Sequence, residues 1–415
     1  MEDEMHGLAV VADDLTGAMD TGVQFSKRGL ETVVLMVGVD LPGPGHPLND
    51  VQVLVVDTDS RAVAAPEAYR RMRAVAEALG GRRLYKKVDS TMRGNVGYEL
   101  RAIGDVLRPR GIVVAPAFPP GGRTTLRGRQ RVHGQPLELT FFARDPRWPM
   151  HESHLPTLLL QQSGREVGQV DIEVVSGGVE CLTTALAARP EPIVVVDALE
   201  PCHLRTIGRA LVALGEAWIP CGSAGLAEEW VSALNLPPVD EPGRPPESRA
   251  PVLAVAGSRN DVTLCQIERA ETERKIVRVD LDPYRCYDAD AEAQRLALAL
   301  EQALSAGHDT LLTSSFAPLV SGAGGLVSRV LADAAARVMV RCRPGGLFLT
   351  GGDVAVAMGR ALGVQALRIA AEVQPGVPGG RLVGGAVDGM WVVTKAGGFG
   401  DDDALIDALA YLRGG

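Results

Sequence analysis

The stretch Leu8-Ala9-Val10-Val11-Ala12-Asp13-Asp14-Leu15-Thr16-Gly17 joins an unbroken apolar run to a short polar turn. An apolar run without alternation is typical of a strand that is covered on both faces, as in a parallel sheet. The residues from Leu15 to Gly29 then follow the pattern of an amphipathic helix. A strand, a polar turn and a helix in this order make up the repeating unit of α/β folds.

The same unit recurs along the chain. We predict further strands over Val51–Val56, Leu84–Val88, Ile112–Ala115 and Ile193–Val196, and helices over Pro66–Leu79 and Val96–Val106. The alternation restarts at Val252 and continues to the end of the sequence. The predicted fold class is therefore α/β, with two unlike three-layer α/β/α domains that have largely parallel sheets.

A chain of 415 residues is longer than one ordinary hydrophobic core requires, so two domains are expected. The stretch from Leu236 to Arg249 contains too many prolines for a helix or a central strand, and it is typical of a linker. We predict an N-terminal domain over residues 1–235, a linker over 236–250 and a C-terminal domain over 251–415.

The composition limits the classes of partner that the protein is expected to bind. The net charge of -9 argues against a general nucleic-acid or anionic-membrane binder, because such partners need a basic surface. The N-terminus is acidic, and we find no apolar run near the about 20 residues that a membrane span needs, so the cytoplasm is the expected location. The six cysteines show no C-x-x-C pair, and we expect small buried side chains in a reducing compartment.

The first candidate site residues are Asp13 and Asp14, which follow the first strand directly. Ligands of open α/β sheets bind beyond the carboxyl ends of the strands. One interpretation is that Asp14 caps the following helix while Asp13 is merely solvated. The other is that one carboxylate binds substrate hydroxyls and accepts a proton, and the residues leave open which one does so.

A second cluster runs from Lys87 to Asn95. Lys87 and Asp89 are expected on one face of a strand, because side chains alternate with period two. Ser90 could simply cap the next helix, but capping does not explain Lys87 and Arg93. The combination suits a small ligand with a carboxylate and hydroxyls, with Arg93 as the bidentate carboxylate partner. Arg61, at another strand end, could add a second positive group.

The segment from Pro116 to Met150 fits the alternation poorly, and long irregular loops in compact domains are often functional. We predict a hairpin arm over Val132–Thr140. The cluster of basic residues around this arm could attract an anion, or could be a solvated arm or a subunit contact.

Three glycine-rich turns mark the C-terminal half: Gly257-Ser258, Thr350-Gly351-Gly352-Asp353 and Ala396-Gly397-Gly398-Phe399-Gly400. Glycines let backbone N–H groups approach phosphate oxygens, and a helix N-terminus favours the anion. We therefore expect a nucleotide-phosphate site. Asp401, Asp402 and Asp403 are expected to stabilise a helix N-terminus. Asp353 is a candidate for a ribose hydroxyl or for a water-mediated Mg²⁺ contact.

Several common motifs are missing from the sequence: the G-x-x-x-x-G-K-[ST] loop, a G-x-G-x-x-G turn in the N-terminal strand unit, and H-E-x-x-H. A kinase with this sequence would therefore belong to neither the P-loop class nor the protein-kinase class.

Taken together, the motifs resemble the four-carbon acid sugar kinase family, in family order across nearly the whole chain. The matching elements are Ala12-Asp13-Asp14-Leu15-Thr16-Gly17-Ala18, Lys87-Val88-Asp89-Ser90-Thr91-Met92-Arg93-Gly94-Asn95, Ala115-Pro116-Ala117-Phe118-Pro119, Gly122-Arg123-Thr124, Gly257-Ser258 with Thr263 and Gln266, Leu349-Thr350-Gly351-Gly352-Asp353, Gln374-Pro375-Gly376-Val377-Pro378 and Lys395-Ala396-Gly397-Gly398-Phe399-Gly400. Met92 stands where relatives often carry leucine or proline, which leaves the exact substrate open.

The resemblance implies an ATP-dependent kinase that phosphorylates a hydroxyl, the terminal one, of threonate, erythronate or a 3-oxo-tetronate. It also implies an N-terminal acid-sugar domain and a C-terminal ATP domain. Because phosphoryl transfer needs the phosphate charge to be neutralised, Mg²⁺ is the expected cofactor, with no protein side chain assigned as its ligand. The oligomeric state stays open, with a homodimer as the assembly allowed for. Asp13 and Asp14 would be catalytic. Substrate binding maps to Asp13, Arg61, Lys87, Asp89, Ser90, Arg93 and Gly94, and nucleotide binding to Ser258, Thr350, Gly351, Gly352, Asp353, Gly397 and Gly398.

Two alternatives are weighed against this hypothesis. One is a nucleotide-dependent oxidoreductase of hydroxy acids, whose acidic ribose reader about 20 residues past a G-x-G-x-x-G turn is not found in the sequence. The other is a non-catalytic sensor of a sugar acid or a nucleotide. The presence of Lys87, Asp89 and Arg93 together favours chemistry over sensing.

Overall fold

The computed structural model describes residues 7–36, 41, 46, 48, 50–79, 81–145, 148–238, 243–320 and 322–415. These residues form two compact units. The described residues of 1–32 and 40–239 make up the first unit, and those of 33–39 and 240–415 make up the second. Within the proline-rich stretch, residues 236–238 and 243–249 contain neither helix nor strand. The acidic residues 1–6 lie outside the described residues.

The strands are given in chain order. They are β1 (Leu8–Ala12), β2 (Thr32–Leu35), β3 (Val53–Asp57), β4 (Arg83–Lys87), β5 (Gly111–Ala115), β6 (Arg123–Leu126), β7 (Arg129–Val132), β8 (Gln135–Pro136), β9 (Val167–Val170), β10 (Ile193–Val196), β11 (Trp218–Gly222), β12 (Val252–Ala256), β13 (Val277–Asp280), β14 (Thr310–Thr313), β15 (Gly346–Thr350), β16 (Ala366–Gln374), β17 (Val377–Val383) and β18 (Trp391–Lys395).

The helices are numbered in the same way. They are α1 (Leu15–Ser26), α2 (Ala65–Ala78), α3 (Val96–Leu107), α4 (Leu155–Ser163), α5 (Ile172–Ser176), α6 (Val179–Ala187), α7 (Pro201–Leu214), α8 (Ala224–Leu234), α9 (Asp261–Arg274), α10 (Ala289–Ser305), α11 (Gly324–Cys342), α12 (Gly352–Leu362) and α13 (Ala404–Leu412). Among the described helices, none has the length and the apolar character that crossing a bilayer requires.

The first unit is built on parallel strands in the order β3-β1-β4-β11-β5-β10-β9. Val10 of β1 is fully buried and lies opposite Val55 on one side and Tyr85 on the other. Helices α1, α8, α7 and α6 pack against one another in succession, and so do α2, α3 and α4. The chain passes from β1 to β3 on one side and then to β4 on the other. The carboxyl end of β1 is therefore the switch point at which open α/β sheets bind ligands.

In the second unit, β13, β14, β12, β15 and β18 are parallel neighbours in that order. The sheet continues through β17 and β16 to β2, and all three of these added pairings are antiparallel. Strand β12 lies between β14 and β15, so the switch point of this sheet is the carboxyl end of β12. Its core includes Phe348, Trp391 and Leu409.

The predicted α/β fold class with largely parallel sheets is confirmed. Predicted strand limits differ from the observed ones by no more than a few residues, because continuous apolar runs are the strongest local signal of a buried strand. The first helix ends at Ser26 rather than at Gly29, which adopts a left-handed backbone with φ of 76°. The antiparallel extension through β2 was not anticipated from the sequence.

The arm differs from its prediction. The hairpin consists of β6 and β7, and β8 pairs with β7, so the arm begins before Val132 and not at it. Its turn is Arg127-Gly128, with φ of 50° and 67°, the backbone typical of a two-residue hairpin. Arginine is uncommon in a left-handed turn, so the sequence gives no clear signal for a hairpin at this position. The Asp197 carboxylate stabilises the turn, because it accepts hydrogen bonds from both backbone N–H groups at 2.6 and 2.9 Å.

The expectation that the cysteines are buried is wrong for most of them. Cys221 and Cys286 are buried, but Cys181, Cys202 and Cys265 are exposed and Cys342 is half-buried. All six are free thiols.

Candidate functional site

At the carboxyl end of β1, a single guanidinium holds two carboxylates. Arg61 donates to both oxygens of Asp13, from Nε and Nη2 at 2.8 Å each. It also donates to both oxygens of Asp14, from Nη1 at 2.6 Å and Nη2 at 2.8 Å. Asp14 caps α1 as well, because its Oδ1 accepts the Gly17 N–H at 2.9 Å. Capping and ligand binding are therefore not exclusive interpretations of Asp14.

Local backbone contacts fix this arrangement. The Asp13 carbonyl accepts hydrogen bonds from the N–H groups of Ser60 and Arg61 at 3.0 and 3.2 Å, which joins the loop after β3 to the loop after β1. Two glycines allow the close approach. A Cβ on Gly17 would lie 2.6 Å from Asp14 Oδ1, and one on Gly94 would lie 3.0 Å from Asp13 Oδ2.

The two carboxylates differ in exposure and in proton affinity. The Asp13 side chain is 1% exposed, against 27% for Asp14, so the expectation of a solvated Asp13 is wrong. Burial alone would raise the pKa of Asp13, but the Arg61 guanidinium together with the positive charges of Lys86 and Lys87 outweighs it and holds the pKa below its usual range. Burial, together with the negative charge of Asp13, raises the pKa of Asp14, and Arg61 offsets this only in part. Asp14 is the more basic and more accessible carboxylate.

A buried ion pair lies beneath this cluster. Lys86 of β4 and Glu99 of α3 are both fully buried, with Nζ and Oε2 2.8 Å apart. Glu99 also accepts a short hydrogen bond from the Ser60 hydroxyl. Asn95 donates to the Ser60 carbonyl at 2.9 Å. The pair therefore holds the segment from which Arg61 projects, and neither Lys86 nor Glu99 was predicted as a site residue.

The residues predicted after β4 lie in one loop. The strand ends at Lys87, so Asp89 follows the strand and the argument from alternating faces does not apply to it. Lys87 is 5% exposed and donates to the Val88 carbonyl at 3.1 Å. Ser90 does not cap α3, because Asn95 occupies the N-cap position.

Arg93 is held by two carboxylates of its own. Its Nε donates to Asp89 at 2.7 Å, and its Nη1 donates to Asp145 at 3.0 Å. Its guanidinium also lies 5.1 Å from the centre of the Phe142 ring. Although burial would raise the pKa of Asp89, Arg61 and Arg93 hold it well below the usual range.

The arm reaches the same loop. Gln130 of β7 is fully buried, and its Nε2 donates to the Ser90 carbonyl at 2.5 Å. Its Oε1 accepts from the Thr125 hydroxyl at 2.6 Å. Gln130, Phe142 and Asp145 all belong to the irregular segment whose role the sequence left open. They connect that segment to the loop that contains Ser90 and Arg93.

In the second unit, the three glycine-rich turns meet at the carboxyl ends of β12, β15 and β18. A Cβ on Gly397 would overlap Ser258 Oγ, and one on Gly351 would lie 3.4 Å from the Ser258 nitrogen. Gly351 has a φ of 106°, which favours glycine, and α12 begins at the next residue. The turns thus bring backbone N–H groups and a hydroxyl to one helix N-terminus, a geometry suited to a polyphosphate.

Thr263 and Lys395 connect these turns. The Thr263 hydroxyl donates to the Gly397 carbonyl at 2.8 Å and lies 3.2 Å from Ser258 Oγ. Lys395 is buried at the end of β18, and its Nζ lies 3.1 Å from the Gly397 carbonyl oxygen and 3.4 Å from the Thr350 hydroxyl. Lys395 was part of a matching motif but was not among the predicted site residues. Its place directly before the Ala396-Gly397-Gly398 turn was the available signal.

The aspartates of this unit make structural contacts. Asp401 Oδ1 accepts the Asp403 N–H at 2.9 Å, and Asp403 forms an ion pair with Arg269 at 2.7 Å. Gln266 donates to the Asp401 carbonyl at 2.6 Å. Asp353 is exposed in the first turn of α12. In the described parts of the chain, no three His, Cys, Asp or Glu side chains cluster as metal ligands would.

The two units together make an α/β protein with charged side chains at the switch point of one sheet and glycine-rich turns at the switch point of the other. The sequence matches the sugar-binding N-terminal domain family over residues 8–230 and the nucleotide-binding C-terminal domain family over residues 253–405. The chain belongs to the four-carbon acid sugar kinase family.

Curated relatives match over nearly the whole chain. A D-threonate kinase from Salmonella typhimurium is 38% identical, and the match covers 98% of both chains. A D-erythronate kinase from Heliobacterium modesticaldum is 33% identical over 98% of this chain and 97% of its own. A solved structure from Bordetella bronchiseptica, described as a domain of unknown function with bound citrate and as a domain-swapped dimer, is 34% identical, covers 98% of both chains and has a TM-score of 0.50.

Proposed function

We propose that this protein is an ATP-dependent kinase that phosphorylates the terminal hydroxyl of a four-carbon acid sugar. Full-length relatives that are named kinases of such acids support the activity. The observation in this chain that carries the proposal is the Asp13–Asp14–Arg61 cluster at the switch point of the first sheet. The relatives do not favour an oxidoreductase or a non-catalytic sensor.

Asp14 is the general base in this proposal, and Asp13 positions Arg61. A base must reach the attacking hydroxyl and must take up its proton. Asp14 has the greater exposure and the raised pKa, whereas Asp13 is enclosed and its pKa is lowered. The proton moves from the substrate hydroxyl to a carboxylate oxygen of Asp14 as the new oxygen–phosphorus bond forms, while the bond between the terminal phosphorus and its bridging oxygen in ATP breaks and ADP leaves.

The first unit binds the acid sugar, within a domain that we propose spans residues 1–235. Arg61 and Asp89 line the ends of β3 and β4, and Lys87 and Arg93 supply positive charge for the carboxylate and hydroxyls. Ser90 and Gly94 complete the loop. Gln130 supports this loop from the arm, because it is the buried partner of the Ser90 carbonyl.

The second unit binds ATP, within a domain that we propose spans residues 251–415. Ser258, Thr350, Gly351, Gly352, Gly397 and Gly398 contact the phosphates, mainly through backbone N–H groups. Mg²⁺ bound with ATP would neutralise part of the phosphate charge, and Asp353 is the side chain that would hold it. Transfer needs the terminal phosphate and the hydroxyl in line.

D-threonate is the first substrate to test, since the D-threonate kinase is more similar to this chain than the D-erythronate kinase. The experiment measures ADP release with ATP and a panel of D- and L-threonate, D- and L-erythronate and 3-oxo-tetronates. Turnover of one member with kcat/KM well above the others identifies the substrate. ATP-dependent turnover of none would refute the proposal.

We also propose a homodimer and a cytoplasmic location. The Bordetella bronchiseptica relative is a domain-swapped dimer, and the free cysteines suit a reducing compartment that contains ATP. Light scattering of the purified protein tests the dimer.

A further inference from the structure

Lys395 places an ammonium group among uncharged oxygens beneath the glycine-rich turns. Its Nζ lies 3.0 Å from the Ala396 carbonyl oxygen and 3.1 Å from that of Gly397. It lies 3.2 Å from the Thr263 hydroxyl and 3.4 Å from the Thr350 hydroxyl. The residue is 5% exposed. These partners belong to β15, to α9 and to the loop after β18, so one side chain joins all three.

The charge of Lys395 is not balanced within the described residues. The carboxylates on these elements and on α12 are Asp261, Glu268, Glu271 and Glu273 of α9, Asp353 in the first turn of α12, and Asp401 to Asp403 in the loop after β18. None of them forms an ion pair with Lys395 in the part of the chain that the structure describes. Arg259, the residue after Ser258, donates to the Ala317 carbonyl. Burial lowers the pKa of Lys395 to about 8.

A buried cation without a counter-charge destabilises a fold, and neutral residues of similar volume replace such groups at little cost. Because this cation lies beneath the turns of Ser258, Gly351 and Gly397, a polyphosphate bound on those turns would supply the missing negative charge without a direct hydrogen bond. Neutral backbone N–H groups line the turns themselves. Lys395 adds a full positive charge to these turns, since its Nζ lies 3.1 Å from the Gly397 carbonyl oxygen.

We propose that Lys395 is the positioning cation of the nucleotide site: it joins the three turns from beneath, and the protein binds nucleotide when Lys395 is protonated. This inference rests on the proposed kinase function. It assigns Lys395 no direct contact with the phosphates, because its hydrogen-bonding directions are taken by the four oxygens around it.

Nucleotide binding should therefore depend on pH. Bound phosphates favour the charged lysine, so they raise its pKa above the value of the free protein. Nucleotide binding then takes up a proton when the pH is above about 8. If only the protonated form binds, affinity falls about eight-fold between pH 7.5 and pH 9, because the protonated fraction of a group with a pKa of about 8 falls by that factor.

The test is calorimetric titration of the full-length protein with ADP, whose phosphates are already ionised above pH 7.5. We expect Kd to rise about eight-fold to pH 9. At pH 9, measurements in two buffers of different ionisation enthalpy should report uptake of nearly one proton. Lys395→Met should bind ADP at least ten-fold more weakly at pH 7.5, without this pH dependence. Lys275→Met, which removes an exposed lysine of the same unit, should behave like the unmodified protein.

The pH series distinguishes a wrong role for Lys395 from the absence of a nucleotide site. If ADP binds the unmodified protein with the same Kd from pH 7.5 to pH 9 and without proton uptake, the inference is wrong while the kinase proposal stands. If ADP binds at no pH, the proposed nucleotide site itself fails. The proton count needs no variant, so it decides the question even if Lys395→Met does not fold.

Discussion

Replacing Asp14 by asparagine should remove most of the turnover and little of the stability. Asparagine keeps an oxygen that can accept the Gly17 N–H and one Arg61 contact, so the capping geometry survives. It cannot accept the proton of the substrate hydroxyl. Loss of a general base lowers turnover by about 10²- to 10⁴-fold. Because Asp14 is 27% exposed, its pairing with Arg61 contributes only about 1 kcal/mol, which corresponds to a few degrees in Tm.

Asp13→Asn is the matched comparison. Asp13 is 1% exposed and accepts two hydrogen bonds from Arg61, so its removal leaves that guanidinium with one carboxylate instead of two. Breaking a buried pair costs about 3 kcal/mol, or roughly 10 °C in Tm for a domain of this size. The lowered pKa of Asp13 stabilises the protein above the pKa of the unfolded chain, and this contribution is lost as the pH falls. The difference in Tm between the variant and the unmodified protein should therefore shrink in acid.

Steady-state kinetics of both variants with saturating ATP, together with thermal unfolding at pH 3 and pH 7.5, separate the two roles, because the contribution of Asp13 is lost only below the pKa of an unfolded aspartate. ADP binding should be unchanged in Asp14→Asn. The kcat of the unmodified protein should rise with pH through the pKa of Asp14, because the deprotonated form is the base. Turnover near that of the unmodified protein in Asp14→Asn would remove this residue from the chemistry. A stable Asp13→Asn without turnover would reverse the assignment.

Two further substitutions test the surroundings of each site. Gly397→Ala should raise the KM for ATP at least ten-fold and leave the KM for the acid sugar unchanged, because its Cβ would overlap Ser258 Oγ. The control is Gly324→Ala, where a Cβ meets only open space. Equal kinetics in the two variants would refute a role of the Gly397 turn in nucleotide binding. Gln130→Ala should raise the KM for the acid sugar several-fold without changing ADP affinity, since it leaves the Ser90 carbonyl without its buried donor; an unchanged KM would limit the arm to a structural role.

The sequence was sufficient to predict the α/β fold, because β1, β10 and β12 are runs of apolar residues that only a covered sheet accommodates. It could not predict that β2 pairs with β16, since the register Ala366 to Leu35 joins segments far apart in the chain. It also could not predict the left-handed backbone of Arg127, because the Asp197 carboxylate that stabilises this turn follows much later in the sequence.

The sequence predicts which residues belong to the candidate site, but not which of their side chains form ion pairs with one another. Asp13, Asp14 and Arg61 were each singled out at strand ends, yet nothing local indicates that one guanidinium holds both carboxylates. Glu99 was missed because a glutamate in a helix is usually exposed. Its burial depends on Lys86 from β4, a tertiary contact without a sequence signal.

The ion pairs of the first unit indicate which of its cations would bind a substrate carboxylate. Arg61 is balanced by Asp13 and Asp14, and Arg93 by Asp89 and Asp145. Lys87 is buried beside them and forms no ion pair with a described carboxylate; its ammonium would lie 3.0 Å from a Cβ on Gly17. A substrate carboxylate gains most from a cation that is not already neutralised. We therefore propose that Lys87 binds the substrate carboxylate, while Arg93, fixed between its two aspartates, orients the hydroxyls.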